Sequence, residues 1–249
     1  MTPRMSVNEV EAVKYWRRDI PKFVHDIFHA KPSNQQIEFL NSVCDMVWAK
    51  LKLHIFNTKG TKPFGEITDL DRRYNRVFGQ SVMAGVGTGK GACASWLIIW
   101  FLTCFPNPKI AVTSPSAKQM GITLWTELAK WHQNCELKDW FTWQSDKFYL
   151  SEMEGKGWFA ATRTANTKNS PDEQAETLAG LHEDFLMIIA DEASGIPDPV
   201  FRPSRTSRCR TRLGRCPSRR RCCWDHSWPS PHRPPLRQYC NSNYWRRSS

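Results

Sequence analysis

The sequence predicts an α/β protein with a mainly parallel central sheet flanked by helices and preceded by a small helical region. Three observations predict it. Apolar residues recur at helical spacing from Val7 to Leu53, and short apolar runs of strand length alternate with helical patterns beyond that. Between the two parts, a glycine-rich turn joins a strand-like run to an apolar helix.

Taken in order, Val10, Val13 and Trp16, then Phe23, Val24, Ile27 and Phe28, then Ile37, Leu40, Val43 and Val47 mark about three short helices. Pro21 and Pro32 divide them, each near a helix start, where the missing N–H costs nothing. A polar connection is expected over 57–65. Residues 77–84 read as a short strand leading into Gly85-Val86-Gly87-Thr88-Gly89-Lys90, and the run from Ala92 to Phe105, free of Gly and Pro, reads as a buried helix. Lys109-Ile110-Ala111-Val112-Thr113 is a second strand, followed by Ser114-Pro115-Ser116 and an amphipathic helix over about 117–132. Trp158 and Phe159 open a third apolar run. Phe185-Leu186-Met187-Ile188-Ile189-Ala190 is the fourth, uninterrupted as in a parallel strand buried on both faces.

The formal net charge of +11 over 249 residues is unevenly placed. Residues 1–201 hold 22 Lys and Arg against 23 Asp and Glu, whereas residues 202–249 hold 13 Arg, no Lys and one acid, Asp225. Attraction to phosphate is therefore no general property of the first 201 residues, and any basic DNA track there must be local. The tail also carries 8 Ser, 6 Pro and 5 Cys without periodicity, too little apolar surface to offset ordering costs of about 1–2 kcal/mol per residue. It is expected to be disordered, and its abrupt arginine bias reads as translation out of frame from near Pro203. Its cysteines (Cys209, Cys216, Cys222, Cys223, Cys240) and His226 and His232 follow no common metal-site spacing, and Arg219-Arg220-Arg221 reads as solvated charge.

Cys44, Cys93, Cys104 and Cys135 are scattered among apolar residues, as suits reduced thiols. No apolar run follows a basic start at the N-terminus, and the apolar run at 92–105 is short of the ~20 residues a spanning helix needs. A soluble intracellular protein is expected. Trp125, Leu128 and Trp131 recur along one helix side and read as core or interface rather than base-stacking platforms.

The chemistry lies in two elements. A phosphate-binding loop has the pattern G-x-x-x-x-G-K-[ST] between strand and helix, because backbone N–H groups and the helix N-terminus must converge on phosphate oxygens. Here the aligned residues are Ala84-Gly85-Val86-Gly87-Thr88-Gly89-Lys90-Gly91: Gly89 and Lys90 match, while Ala84 and Gly91 depart. Gly91 lacks the hydroxyl that normally helps hold magnesium. The second element is the strand ending Ile189-Ala190-Asp191-Glu192, which would place one carboxylate near the magnesium shell and the next beside an attacking water. Singly, the first also reads as a glycine-rich turn and the second as a capping pair. Together, in this order, they point to the P-loop nucleotide-hydrolase class of RecA-like topology.

Several runs extend the pattern: Val86-Gly87-Thr88-Gly89-Lys90 with residues 94–102; Val112-Thr113-Ser114-Pro115-Ser116 with Gln119, Leu124-Trp125 and residues 127–131; and Ala179-Gly180-Leu181-His182 with residues 191–197. Over about residues 20–201 the chain resembles the ATPase domain of the large terminase subunit of tailed bacteriophages. The resemblance implies an ATP-driven motor that threads double-stranded DNA into a procapsid. It makes Lys90 the phosphate-binding lysine, Asp191 the magnesium-associated acid and Glu192 the catalytic base. Gly85, Val86, Gly87, Thr88, Gly89 and Gly91 complete the loop. A glutamine near the N-terminus, Gln36 in preference to Gln35, would lie against adenine; a polar residue at a helix start is its alternative reading. Thr113-Ser114-Pro115 resembles the strand-end motif of DNA-translocating ATPases, or else a helix-start turn.

The implied cofactors are ATP and magnesium. The implied partners are DNA, a small terminase subunit, a portal protein and further copies in a ring, with no membrane, in the bacterial host cytoplasm. The expected organisation is a helical N-terminal region over 1–58 with adenine-side contacts, an incomplete ATPase core over 59–201 and the tail over 202–249. Family members often carry a basic residue or histidine where Val86 stands. The nuclease carboxylates of the family have no counterpart after Asp198 save Asp225, so no nuclease is expected. Two other readings are a helicase-like DNA-dependent ATPase and a non-catalytic remnant whose basic tail binds nucleic acid.

Overall fold

The computed structural model describes residues 7–201 apart from 63, 77–78, 86, 154–155, 165–169, 171, 173, 175–177 and 179–182. The expectations for Val77, Phe78, Val86, residues 179–182 and the tail from 202 lie outside the described residues.

Three helices open the chain: α1 (Val7–Trp16), α2 (Ile20–Phe28) and α3 (Asn34–Lys59). Pro21 sits in the first turn of α2, and the Asp19 carboxylate caps that helix by accepting from the Lys22 N–H. Ser33 and Gln36 form a reciprocal capping box at the start of α3. This third helix is not short. It runs 26 residues, through the expected connection at 57, because no Gly or Pro interrupts it before Gly60, whose φ of 65° ends it.

A further helix, α4 (Asp69–Arg76), packs on α3. The Asp71 carboxylate ties the pair, accepting from Lys52 Nζ at 3.1 and 3.2 Å, from the Thr68 N–H at 2.9 Å and from the Thr68 hydroxyl at 2.9 Å. Burial alone would raise its pKa, but the hydrogen bonds from Thr68 and Lys52 outweigh it and hold the carboxyl below 3.8. A folded-state pKa below the unfolded one means that the stabilisation is complete above about pH 4 and is lost as pH falls through the folded value. Asp71→Asn is therefore expected to cost about 1–3 kcal/mol at pH 7. In urea denaturation, the gap between the two proteins should close on moving to acid below that window.

Helix α5 (Lys90–Cys104) is buried almost all round, every residue from Ala92 to Cys104 except Ala94 being buried. Trp100 is fully buried, its indole N–H donating to the Trp16 carbonyl at 2.9 Å, and Arg17 Nε donates to the Cys104 carbonyl at 2.6 Å. Trp48 of α3 donates to the Arg17 carbonyl. The turn after α1 is thus the point where α1, α3 and α5 are fastened, and one hydrophobic cluster runs from Ile20, Phe23 and Leu40 through Ile98 and Ile99 to Phe148.

The sheet contains β1 (Lys109–Thr113), β2 (Phe141–Trp143), β3 (Lys147–Leu150), β4 (Phe159–Thr162) and β5 (Leu186–Ala190), in the order β2-β3-β4-β1-β5. Pairs β4–β1 and β1–β5 are parallel; β2–β3 and β3–β4 are antiparallel. The sheet is therefore mixed rather than mainly parallel. The hairpin of β2 and β3 was not expected, since strands of three and four residues are too short to show a periodicity.

The strand expected over 77–84 is absent from the described residues 79–84. Residues Ser81 to Gly85 are exposed, and no described strand pairs with them. An apolar run becomes a strand only when a neighbour takes its N–H and C=O groups. The helix expected over 117–132 is two helices, α6 (Ala117–Ile122) and α7 (Leu124–Gln133), separated at Thr123, whose φ of −98° and ψ of −91° are not helical. Trp125 and Leu128 are buried, and Trp131 packs on the core against Trp96.

Strand β5 was expected to be buried on both faces. Each of its residues is instead half-buried. Met187 and Ile189 pack on the main cluster, while Leu186, Ile188 and Ala190 pack on a smaller one with Leu178, Ile196 and Val200. Both faces therefore meet apolar neighbours. Beyond β5, however, no described strand covers its outer edge.

Candidate functional site

The glycine-rich loop sits at the start of α5. Gly87 and Gly89 have φ of 80° and 78°, a region that a β-carbon makes costly, so these two glycines are required by the backbone. Gly89 is the N-cap of α5, and no side chain caps that helix end. Its first N–H groups, at the positive end of the helix dipole, face the loop. Thr88 Oγ1 donates to the Gly85 carbonyl at 3.0 Å, bracing the turn. Lys90 is exposed, and its ammonium reaches back across the loop to the carbonyls of Ala84 at 2.5 Å and Gly85 at 3.0 Å.

Gln36 joins this loop. Its Oε1 accepts from the Ser33 N–H at 2.8 Å, while its amide nitrogen lies so near Gly89 that a β-carbon there would collide with it. The same side chain hydrogen-bonds the buried Cys93 thiol. Burial pushes that thiol up to about 11, against which the Gln36 bond works. Cys44 is raised by burial to about 12 and Cys135 to about 11, and Cys104 is also raised; all four are free thiols.

The acid pair stands at the C-terminal end of β5. The Asp191 N–H donates to the Thr113 carbonyl at 2.8 Å, extending the parallel ladder by one step. Asp191 Oδ1 accepts from the Glu192 N–H at 3.1 Å, and Oδ2 accepts from Thr123 Oγ1 at 3.2 Å. Glu192 is exposed, and its φ of 49° is left-handed. Held there without a glycine, Glu192 carries backbone strain of about 1 kcal/mol, of the kind found at functional turns.

Helix α7 is what the two elements share. Its N-terminal Thr123 touches Asp191; Glu127, four residues on and about 6 Å along the axis, lies against Gly91. A β-carbon on Gly91 would stand 3.5 Å from Glu127 Cγ, an ordinary contact. Glu127 is itself held by the Trp131 indole N–H at 2.8 Å. The contact of Thr123 with Asp191 was missed in the sequence, where nothing distinguishes Thr123 from a polar helix-start residue.

Among the described residues, no three His, Cys, Asp or Glu side chains gather to hold a metal. The residues present do suit magnesium, which takes one or two carboxylates together with substrate phosphates and water. Asp191 and Thr123 offer hard oxygen atoms. The hydroxyl of Thr113, paired in register with Ala190 beside Asp191, is buried without a hydrogen-bond partner among the described residues. No helix among the described residues is long and apolar enough to cross a membrane.

This geometry defines an α/β protein with a glycine-rich loop opening a buried helix and an acid pair ending a parallel strand. The chain is similar to the "Probable terminase, large subunit" of Enterobacteria phage P7, 33% identical over 129 residues. That match covers 49% of this chain and 24% of the relative. The likeness to this terminase large subunit thus extends over about half of the chain and about a quarter of the relative's length. No family model matches, and no solved structure matches.

Proposed function

We propose that the chain is the ATP-binding part of a DNA-packaging motor subunit of the terminase large-subunit kind. The supporting observation is that α7 touches both the glycine-rich loop and the strand-end acid, in a chain similar to a phage terminase. In this reading the N–H groups at the start of α5 receive phosphate oxygens, and the Lys90 ammonium exchanges the Ala84 and Gly85 carbonyls for them. Asp191 would hold magnesium, which when bound would neutralise phosphate charge. Glu192 takes a proton from the water that attacks the γ-phosphorus as the bond to the ADP oxygen breaks. Gln36, beside Gly89, is the residue proposed to lie against adenine.

Double-stranded DNA, a small terminase subunit, a portal protein and further copies in a ring are the partners this reading implies. A helical region over 1–58 and an ATPase core over 59–201 are its proposed divisions, in the host cytoplasm. No nuclease is proposed for this chain.

The test is binding of a fluorescent ATP analogue by the full chain, with and without magnesium. Lys90→Ala is expected to weaken binding by about 10- to 100-fold, the loss of a charged hydrogen bond worth about 1.5–3 kcal/mol. Binding that this substitution leaves unchanged, or no binding by the unaltered chain, overturns the reading.

A further inference from the structure

A threonine at the N-cap of a helix ordinarily spends its hydroxyl on the N–H of the second or third residue of that helix. Thr123 does not. It makes no side-chain cap to α7, and its hydroxyl instead donates across the site to Asp191 Oδ2 at 3.2 Å. In phosphate-loop enzymes, the loop Ser or Thr and the strand-end Asp hold the metal together. Here the loop position is Gly91, which has no hydroxyl, and α7 lies against it through Glu127.

We propose that Thr123 is a positioning residue for the metal-associated carboxylate, supplying from α7 the hydroxyl that the loop lacks at Gly91. This rests on the nucleotide-site reading above. By fixing Oδ2, Thr123 aims the remaining lone pairs of Asp191 at one place. The break between α6 and α7 then has a purpose: a continuous helix through residue 123 would give that side chain a different direction.

The experiment measures the magnesium concentration that half-saturates binding of a fluorescent ATP analogue to the full chain, alongside binding in EDTA. Thr123→Val keeps the shape and removes the hydroxyl. It is expected to raise the half-saturating magnesium about 10-fold or more, the usual effect of losing an outer partner of a metal ligand, with binding in EDTA unchanged. Thr123→Ser is expected to restore the unaltered value. Adding Gly91→Ser to Thr123→Val is expected to recover part of the loss, since a β-carbon fits there. Should circular dichroism find Thr123→Val unfolded, Thr123→Ala gives the same comparison.

An unchanged magnesium requirement in the folded variant, or a serine variant that behaves like the valine one, overturns the proposal while leaving the nucleotide site standing. Binding that is absent from the unaltered chain, or indifferent to Lys90→Ala, overturns the site itself and this proposal with it.

Discussion

Glu192→Gln is expected to lower magnesium-dependent ATP hydrolysis by about 10²- to 10⁴-fold while leaving ATP-analogue binding near the unaltered value. The amide keeps the size of the side chain but cannot accept a proton from water. Binding is spared because the groups proposed for the phosphates, Lys90 and the N–H groups of α5, lie on other elements. The local backbone supplies a control. Glu192 sits at φ 49° without being a glycine, so Glu192→Gly removes steric strain while giving the unfolded chain more freedom. The two effects oppose one another, and stability should change by no more than about 1 kcal/mol while turnover falls as far as in the glutamine variant. Phosphate-release assays beside thermal melts check both. Turnover retained by Glu192→Gln would remove Glu192 from the role of base.

Trp100→Ala is expected to destabilise the protein by about 3–5 kcal/mol, a large share of the ~5–15 kcal/mol that holds a domain together. Trp100 has no exposed surface, and its ring meets Phe105 edge-on at 5.3 Å and Phe101 at 6.1 Å. Its indole N–H also donates from the middle of α5 to the α1 carbonyl of Trp16. Alanine opens a cavity and takes away the donor; Trp100→Phe fills most of the space and removes the donor alone, for about 1–3 kcal/mol. Urea denaturation should therefore rank the unaltered chain above Trp100→Phe, and Trp100→Phe above Trp100→Ala. Equal midpoints for the two variants would mean that the hydrogen bond, not the packing, dominates at this position.

The surroundings of these residues explain why the site was partly legible in advance. Gly87, Gly89 and Lys90 announce themselves because a glycine-rich turn opening a helix needs particular backbone conformations at particular spacings, and those leave a sequence trace. Asp191 and Glu192 were legible because an apolar strand leads directly to them. Gln36 was singled out by the resemblance of residues 32–36; its place in a capping box and its approach to Gly89 came from the structure, through how α3 packs against the start of α5. Thr123 carries no local mark. Its importance comes from Asp191, 68 residues away in the chain.

By itself, then, the sequence determined what rests on neighbours along the chain: β1 and β5, the buried helix α5, and the glycines of the loop. Each follows from periodicity or from a φ that only glycine adopts cheaply. The tertiary structure decided what needs a distant partner. The apolar run at 77–84 has no described strand beside residues 79–84, the short runs at 141–150 become a hairpin by pairing with each other and with β4, and the expected helix over 117–132 breaks where Thr123 meets Asp191. The ladder of β3 with β4 and the contact of Thr123 with Asp191 join residues farther apart than a local pattern reaches.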